Sequence, residues 1–509
     1  MRPLPPRFDP RLLLRPRRRG IASVNSEVRD GIVPAAGAIA RTADVSGGEA
    51  RSRNYRTVAL IIACAMFMEN LDATVLATAL PTMARDFHVR APEMSIALTS
   101  YLLALAMFIP ASGAAADRFG AKNVFRIAIA VFIGGSLACG LAPGLPAMVA
   151  ARFVQGIGGA MMMPVGRLVL LRSVAKRDMV SAMSWLIMPA LIGPIVGPPV
   201  GGFIVTYLDW RWIFWLNLPI GLTGILLVGR FIADVREEAL PRFDTPGFLL
   251  SAASLGCLLF GFEMASRPGA GRISAALILS GVTAGTLYLR HARRVPHPIL
   301  DTSLMRAPTF RLSVIGGSLT RITQGAQPFL LPLLMQLGFG LTPAQSGTMT
   351  LATAMGSFGM KGVAPRLLRR LGFRTSLIWM GLLGTAAYAV CGSFRPSWPL
   401  WGVFAVMVIS GFLMSFQFTA YNTIAYDEIA KGRMSAATSF YSTFQQLMLS
   451  LGICMGASAL HASMALLRHA RPGFGDFSVA FWTVTSISAL AVFVNARFDS
   501  KAGAEMRRG

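Results

Sequence analysis

Residues 57–80 read TVALIIACAMFMENLDATVLATAL, an apolar run whose only charges are Glu69 and Asp72. About 20 such residues, at 1.5 Å of rise each, cross about 30 Å of hydrocarbon as one helix. Further blocks of the same kind follow at 94–114, 124–141, 147–170, 182–207, 212–233, 246–264, 273–291, 312–337, 344–365, 375–394, 399–421, 437–461 and 478–494. The pattern predicts an all-α membrane protein with fourteen transmembrane helices. Composition agrees: 54% of the residues are hydrophobic and 14% charged, where soluble chains carry about 25% charged residues. Mean hydropathy is +0.57.

The formal net charge of +25 raises the question of nucleic acid, and the distribution of the charge answers it. Basic clusters (Arg172, Lys176, Arg177; Arg290, Arg293, Arg294; Lys361 to Arg374) fall on one side of the alternating blocks. The connections 142–146 and 338–345 on the other side carry no charge. This is the positive-inside asymmetry, and it predicts that both termini are cytoplasmic. No nucleic-acid partner is expected. Residues 1–54, rich in Arg, Pro, Gly and Ala, lack the apolar core of a secretory signal and read as a disordered basic cytoplasmic tail.

The five cysteines lie in apolar blocks with no CxxC spacing, so neither a disulfide framework nor a zinc site is indicated. No GxxxxGK[ST], HExxH or GxSxG motif occurs. No cofactor is expected, no catalytic residue is assigned, and the energy source expected is the proton-motive force rather than ATP.

Arg118-x-Gly120-x-Lys122 recurs as Arg370-x-Gly372-x-Arg374, an offset of 252 residues (370 minus 118). Both stand after the second helix of a six-helix set when helices seven and eight are treated as inserted. The expected organisation is a tail (1–54), a six-helix bundle (55–235), two inserted helices (236–295), a second six-helix bundle (296–496) and a cytoplasmic tail (497–509). Parallel repeats of this kind place a transport site between the halves.

Charges inside a bilayer cost roughly 2.5–3.5 kcal/mol each on insertion scales and therefore need partners or water. Glu69 lies about 18 Å into its helix, near the midplane, with Asp72 one turn further on. Two acids so close in a low dielectric are not expected to stay ionised together, which suits a proton carrier. Arg152, and Arg321 about 15 Å into the ninth helix, are candidate counter-charges for these acids or for an anionic substrate group. The alternative is a salt bridge that only holds helices together. In the fifth block, Gly193, Gly197 and Gly201 form a smooth stripe that permits close packing. Pro194, Pro198 and Pro199 remove backbone donors beside it, and Gly202 follows. Packing glycines and prolines on one helix point to a moving or sealing interface. Gln155, Met163, Arg321, Gln324, Phe416, Asn422 and Gln445 are the candidates for a cavity lining, since polar groups avoid lipid and Met and Phe adapt to varied ligands. Met and Phe also face lipid or simply fill space.

These motifs resemble those of the fourteen-helix drug:proton antiporters, the EmrB/QacA-like branch of the major facilitator superfamily. Leu71-Asp72-x-Thr74-Val75 to Pro81 resembles their first-helix motif. Gly113-x-x-x-Asp117-Arg118-x-Gly120-x-Lys122 is similar to the superfamily's gating loop, Arg152-x-x-Gln155-Gly156 to its proton motif, and residues 193–202 to its antiporter motif. Trp210-Arg211-Trp212-Ile213-Phe214 with Asn217, Pro219 and Gly221 is specific to the fourteen-helix branch. The resemblance spans residues 56–494, and residues 155–167 and 356–361 most resemble a putative multidrug member of that branch. It implies a major facilitator fold in a 6+2+6 arrangement in a bacterial inner membrane. It also implies exchange of inward protons for an outgoing amphipathic or cationic compound, by a monomer whose partners are lipid, protons and the small-molecule substrate. Asp72, Glu69 and Arg152 would couple the proton, and Gly113, Asp117, Arg118, Gly120 and Lys122 would gate. The alternatives are a metabolite exporter or importer of the same fold and a non-transporting membrane sensor. The pattern departs from the family at Ala121, at the added acid Glu69, and at Arg369, which stands where the second-half loop would match Asp117.

Overall fold

The computed structural model describes residues 55–174, 178–232, 243–265 and 269–504. The expected tail 1–54 and the last residues of the chain lie outside them. Among the described residues a helix covers each apolar block. The first six are α1 (Tyr55–Asp86), α2 (Ser95–Phe119), α3 (Ala121–Gly140), α4 (Leu145–Ser173), α5 (Met179–Tyr207) and α6 (Asn217–Phe231). Then come α7 (Thr245–Ala265) and α8 (Gly271–Ala292), and finally α9 (Pro308–Leu333), α10 (Pro343–Leu371), α11 (Phe373–Cys391), α12 (Leu400–Ile424), α13 (Met434–Leu467) and α14 (Phe474–Ala489).

Ten of the described helices are long and apolar enough to cross a membrane. The exceptions are α5, α9, α10 and α11, of which α5 contributes the shorter apolar stretch Ile192–Tyr207. The faces of α9 and α10 carry Gln324, Gln327, Thr350, Thr353, Ser357, Lys361 and several prolines toward a cavity, which lowers their mean hydropathy without exposing polar groups to lipid.

Packing repeats with a period of eight helices. α1 packs on α5 as α9 packs on α13, α2 on α4 as α10 on α12, and α3 on α4 as α11 on α12. The halves meet along two seams, α5 on α10 and α2 on α13, which exchange under the same repeat. The loop echo in the sequence is a real structural repeat. Gly120 (φ 86) joins α2 to α3, and Gly372 (φ 77) joins α10 to α11, each as a single residue in a conformation that side chains rarely adopt. Asp117, expected just past the end of α2, sits in its last turn because the helix runs to Phe119. We call the end of the bundle that carries these connections the basic face and the opposite end the neutral face.

α7 and α8 form a hairpin in which Gly261 and Gly281 allow close approach, and Ser254 Oγ donates to Gly281 O at 2.9 Å. α7 lies against α2 and α13, so the hairpin covers one of the two seams through that helix. After α14 the chain stays packed on the bundle: Phe498 is buried and Gly503 N donates to Asp427 Oδ2 at 2.9 Å.

Candidate functional site

The apolar sequence of α1 buries Asp72 at 4% exposure, where a carboxylate needs donors. Three side chains supply them. Arg152 Nη1 on α4 donates to Asp72 Oδ2 at 2.6 Å, while Gln155 Nε2, one turn along α4, and Asn217 Nδ2 on α6 each donate to Oδ1 at 2.9 Å. Arg152 Nη1 also lies 2.7 Å from Gln155 Oε1, and its guanidinium covers the Tyr101 ring 4.5 Å from the centroid. Asn217 Nδ2 donates in addition to Ser136 Oγ, which donates to Phe214 O. The proton motif and the Trp210–Gly221 motif thus converge on one carboxylate. Gln155, expected at the cavity, belongs to this buried network. Asn217 could not be assigned a role in the sequence, because its motif gave no hint of which helix it would meet.

Glu69 stands apart from the network. No hydrogen bond reaches its side chain among the described residues, and its Oε2 is buried without a partner. At about 100° per residue, Glu69 lies about 60° from Asp72 on α1 and about 80° on its other side from Ala77, a residue of the cavity wall. It therefore sits between the charged network and the cavity.

At the basic face Lys122 Nζ donates to Gly229 O in the last turn of α6 at 2.9 Å, where the helix dipole favours a cation. Arg118 is exposed beside the Phe119 ring, Asp117 is half-buried, and Gly113 has nothing within 4 Å of where a Cβ would stand. α2 is therefore open to space at its basic end.

The prolines do not interrupt α5, which runs unbroken through Pro189, Pro194, Pro198 and Pro199. Its glycine stripe faces α1: Gly193 abuts Asn70, Gly197 abuts Thr74, and Gly201 abuts Val75 and Thr78. Gly202 turns instead to Pro343 and Ala344 of α10, and Gly347 returns the contact against Pro198 and Pro199. Ala344 N donates to Thr206 Oγ1 at 2.9 Å and Gln336 Nε2, from the π-helical turn after α9, donates to Thr78 O at 2.9 Å. These contacts join the two halves near the neutral face and close it.

Below this seal a cavity of about 670 Å³ lies between the halves. Thr74, Thr78, Pro194 and Pro198 line it from the first half, with Gln324, Lys361, Phe418 and Asn422 among its walls in the second. It extends to Pro365 and Thr423 near the basic face. Of the residues singled out in the sequence, Gln324 and Asn422 line this cavity, and Gln445 Nε2 donates to Asn422 Oδ1 at 2.7 Å from behind. Phe416 does not line the cavity: it is fully buried in the core formed by α10, α11 and α12, and Phe418, about 200° further round the helix, takes the wall position. Met163 packs against the core of the first half rather than the cavity. Lys361, counted with a cytoplasmic cluster in the sequence, belongs to the cavity wall because α10 continues for ten residues beyond it.

Arg321 is 2% exposed on α9. Its Nη1 donates to Gly317 O at 3.2 Å, and its guanidinium lies 5.3 Å from the Phe418 ring centroid and 5.2 Å from that of Tyr441. Nε and Nη2 are buried without partners. Glu263, an acid that the block pattern left unremarked, is buried at the inserted hairpin's seam. It accepts from Ser95 Oγ of the first half at 2.8 Å and from Cys454 Sγ of the second at 2.9 Å.

Residues 62–453 match the family model described as Major Facilitator Superfamily. The chain is 36% identical over 419 residues to "Probable transport protein HsrA" of Haemophilus influenzae, covering 82% of this chain and 89% of that one. It is likewise 36% identical over 434 residues to "Putative multidrug resistance protein MdtD" of Pectobacterium carotovorum, covering 84% and 92%. Among solved structures it is similar to a D-xylose-proton symporter (TM-score 0.62, 14% identity, 88% of this chain and 98% of that one). It is also similar to a bacterial homolog of the human lysosomal transporter Spinster in an inward-facing and occupied conformation (TM-score 0.59, 14% identity, 88% and 98%).

Proposed function

Because this chain belongs to the Major Facilitator Superfamily, a family of membrane transporters, we propose that it is a proton-coupled antiporter that exports amphipathic small molecules from a bacterial cell by alternating access. In this reading all fourteen helices span the inner membrane, both termini and the basic face are cytoplasmic, and the state described is inward-open. The kinship to proteins named for multidrug resistance favours export. The observation that carries the reading is the juxtaposition of a half-buried acid, Glu69, whose buried Oε2 meets no donor, with a cavity sealed at one face only.

The two acids divide the labour. Asp72 accepts three hydrogen bonds, one from an arginine, so its carboxylate is held in place as part of a structural pair. A buried carboxylate oxygen with no donor is tolerated when it carries a proton. Glu69 is therefore the group that loads and releases the transported proton, and the Asp72–Arg152 pair fixes the field in which it does so. The glycine stripe of α5 holds α1 against it while the outer turns of α5 grip α10. Opening the neutral face then requires the α5–α10 contacts to part, and closing the basic face brings the second half against the bare surface of α2 at Gly113. Lys122 on Gly229 holds the α2–α3 connection to α6, so that the first half moves as a body.

Spin labels report both faces at once. One pair at Phe119 and Leu371 and another at Leu141 and Trp401, all exposed and on opposite halves, give two distances by electron–electron resonance. The reading predicts two populations that exchange in opposition, the basic-face distance shortening as the neutral-face distance grows, with Glu69→Gln shifting the balance as pH does in the parent. A single distance at each face, indifferent to pH and to Glu69→Gln, rules the reading out.

A further inference from the structure

The resemblance to drug antiporters leads one to expect a cationic substrate, and a cationic substrate needs an acid to meet it. No carboxylate lines the cavity among the described residues: its one ionisable wall residue is Lys361. A second cation stands behind the wall. Arg321 lies on the same stripe of α9 as the cavity residues Gln324 and Pro328, and the Phe418 ring that lines the cavity also carries its guanidinium. Stacking on Phe418 and Tyr441 satisfies the faces of that group and leaves its N–H edge, Nε and Nη2, without acceptors. The two halves differ here. Arg152 has its carboxylate in Asp72, while the arginine of the second half has no carboxylate partner among the described residues. A guanidinium buried directly behind a cavity wall with two donors unsatisfied suits a planar anion, which it would hold in bidentate fashion once the Phe418 side chain moves aside.

We infer that the compound carried in this cavity is an organic anion, an amphipath bearing a carboxylate, and that Arg321 with Lys361 binds its charged end. The apolar walls (Ile195, Leu331, Met414, Phe358) take its body, and Gln324 and Asn422 take its polar substituents. The inference rests on the reading of the cavity as a transport site, and it fixes the sign of charge that this reading leaves open.

Two probes that share a naphthyl body and carry opposite charge, 1-naphthoate and 1-naphthylmethylammonium, test it by calorimetry on the purified full-length protein. Naphthoate binds at least about tenfold more tightly, the effect of one charge-assisted hydrogen-bonded pair. Arg321→Gln removes that preference by weakening naphthoate about tenfold while leaving the ammonium probe within about twofold. Arg321→Lys falls between the two, and Lys361→Gln weakens naphthoate about threefold. Inorganic phosphate, which has no apolar body, does not displace naphthoate at equal concentration. If Arg321→Gln does not elute as a monodisperse species, the other two variants carry the test. Preference for the ammonium probe, equal binding of both, no binding of naphthoate, or variants that leave naphthoate unchanged each overturn the inference. Proton flux in proteoliposomes separates this from the wider reading. Flux driven by the ammonium probe alone preserves proton coupling and sinks the anion, whereas naphthoate bound through Arg321 with no proton moved preserves the anion and sinks the coupling.

Discussion

Asp72 and Glu69 are one turn apart on α1 and meet opposite surroundings, three donors for one and none for the other. The contrast sets different costs for their removal. Asp72→Asn leaves the Arg152 guanidinium buried without its counter-charge, and breaking a buried pair costs about 3–5 kcal/mol. The variant should therefore unfold at a clearly lower temperature in detergent than the parent, and Asp72→Asn combined with Arg152→Gln should recover part of the loss. Equal melting of Asp72→Asn and the parent would show that the pair is not what holds α1, α4 and α6 together. Both acids and Arg152 were legible in the sequence, because a charge in an apolar run is conspicuous. The choice between salt bridge and proton carrier was not: it depends on which helices approach α1, and of the two acids Asp72 is the one that pairs with Arg152. Phe416 misled for a related reason. Two residues on an apolar helix differ by about 200° in direction, and a helix that is apolar all round gives no periodicity from which to pick the face.

At the scale of helices and their joints, Gly120 and Gly372 each turn the chain between two helices in one residue with positive φ. A β-carbon there costs about 1–2 kcal/mol, so Gly120→Ala and Gly372→Ala should each lower thermal stability, whereas Gly113→Ala, with open space around it, should stay within about 0.5 kcal/mol of the parent. Thermal unfolding of the three variants side by side checks this, and a loss at Gly113 equal to that at Gly120 would contradict it. The single-residue turn also explains why two short basic echoes in the sequence pointed correctly to a repeat. The echo preserves a backbone conformation and a cationic connection, not an ion pair, so the absence of an acid at Arg369 does not spoil it. The glycines of α5 were readable as a packing stripe. Their division between α1 and α10 was not, because it rests on the direction of Gly202, one residue off the stripe.

Across the whole molecule, the periodicity of eight helices, the two exchanging seams and the cavity between the halves follow from alternating apolar blocks and one repeated loop. The seat of the α7–α8 hairpin over the α2–α13 seam, with Glu263 touching Ser95 and Cys454 from both halves, depends on contacts more than 150 positions apart, which one sequence does not encode visibly. The charge of the cavity wall was likewise hidden, because the wall is assembled from five helices and Lys361 read as part of a basic cluster. We propose that protonation of Glu69 drives the exchange between the two open states. It is tested most directly in proteoliposomes loaded with a pH-sensitive dye, comparing the parent with Glu69→Gln for proton movement triggered by the two naphthyl probes and for probe-for-probe exchange. The account predicts that one probe moves protons in the parent, and that Glu69→Gln abolishes the proton movement while retaining the exchange. Proton movement undiminished in Glu69→Gln, or none in the parent with either probe, would contradict it.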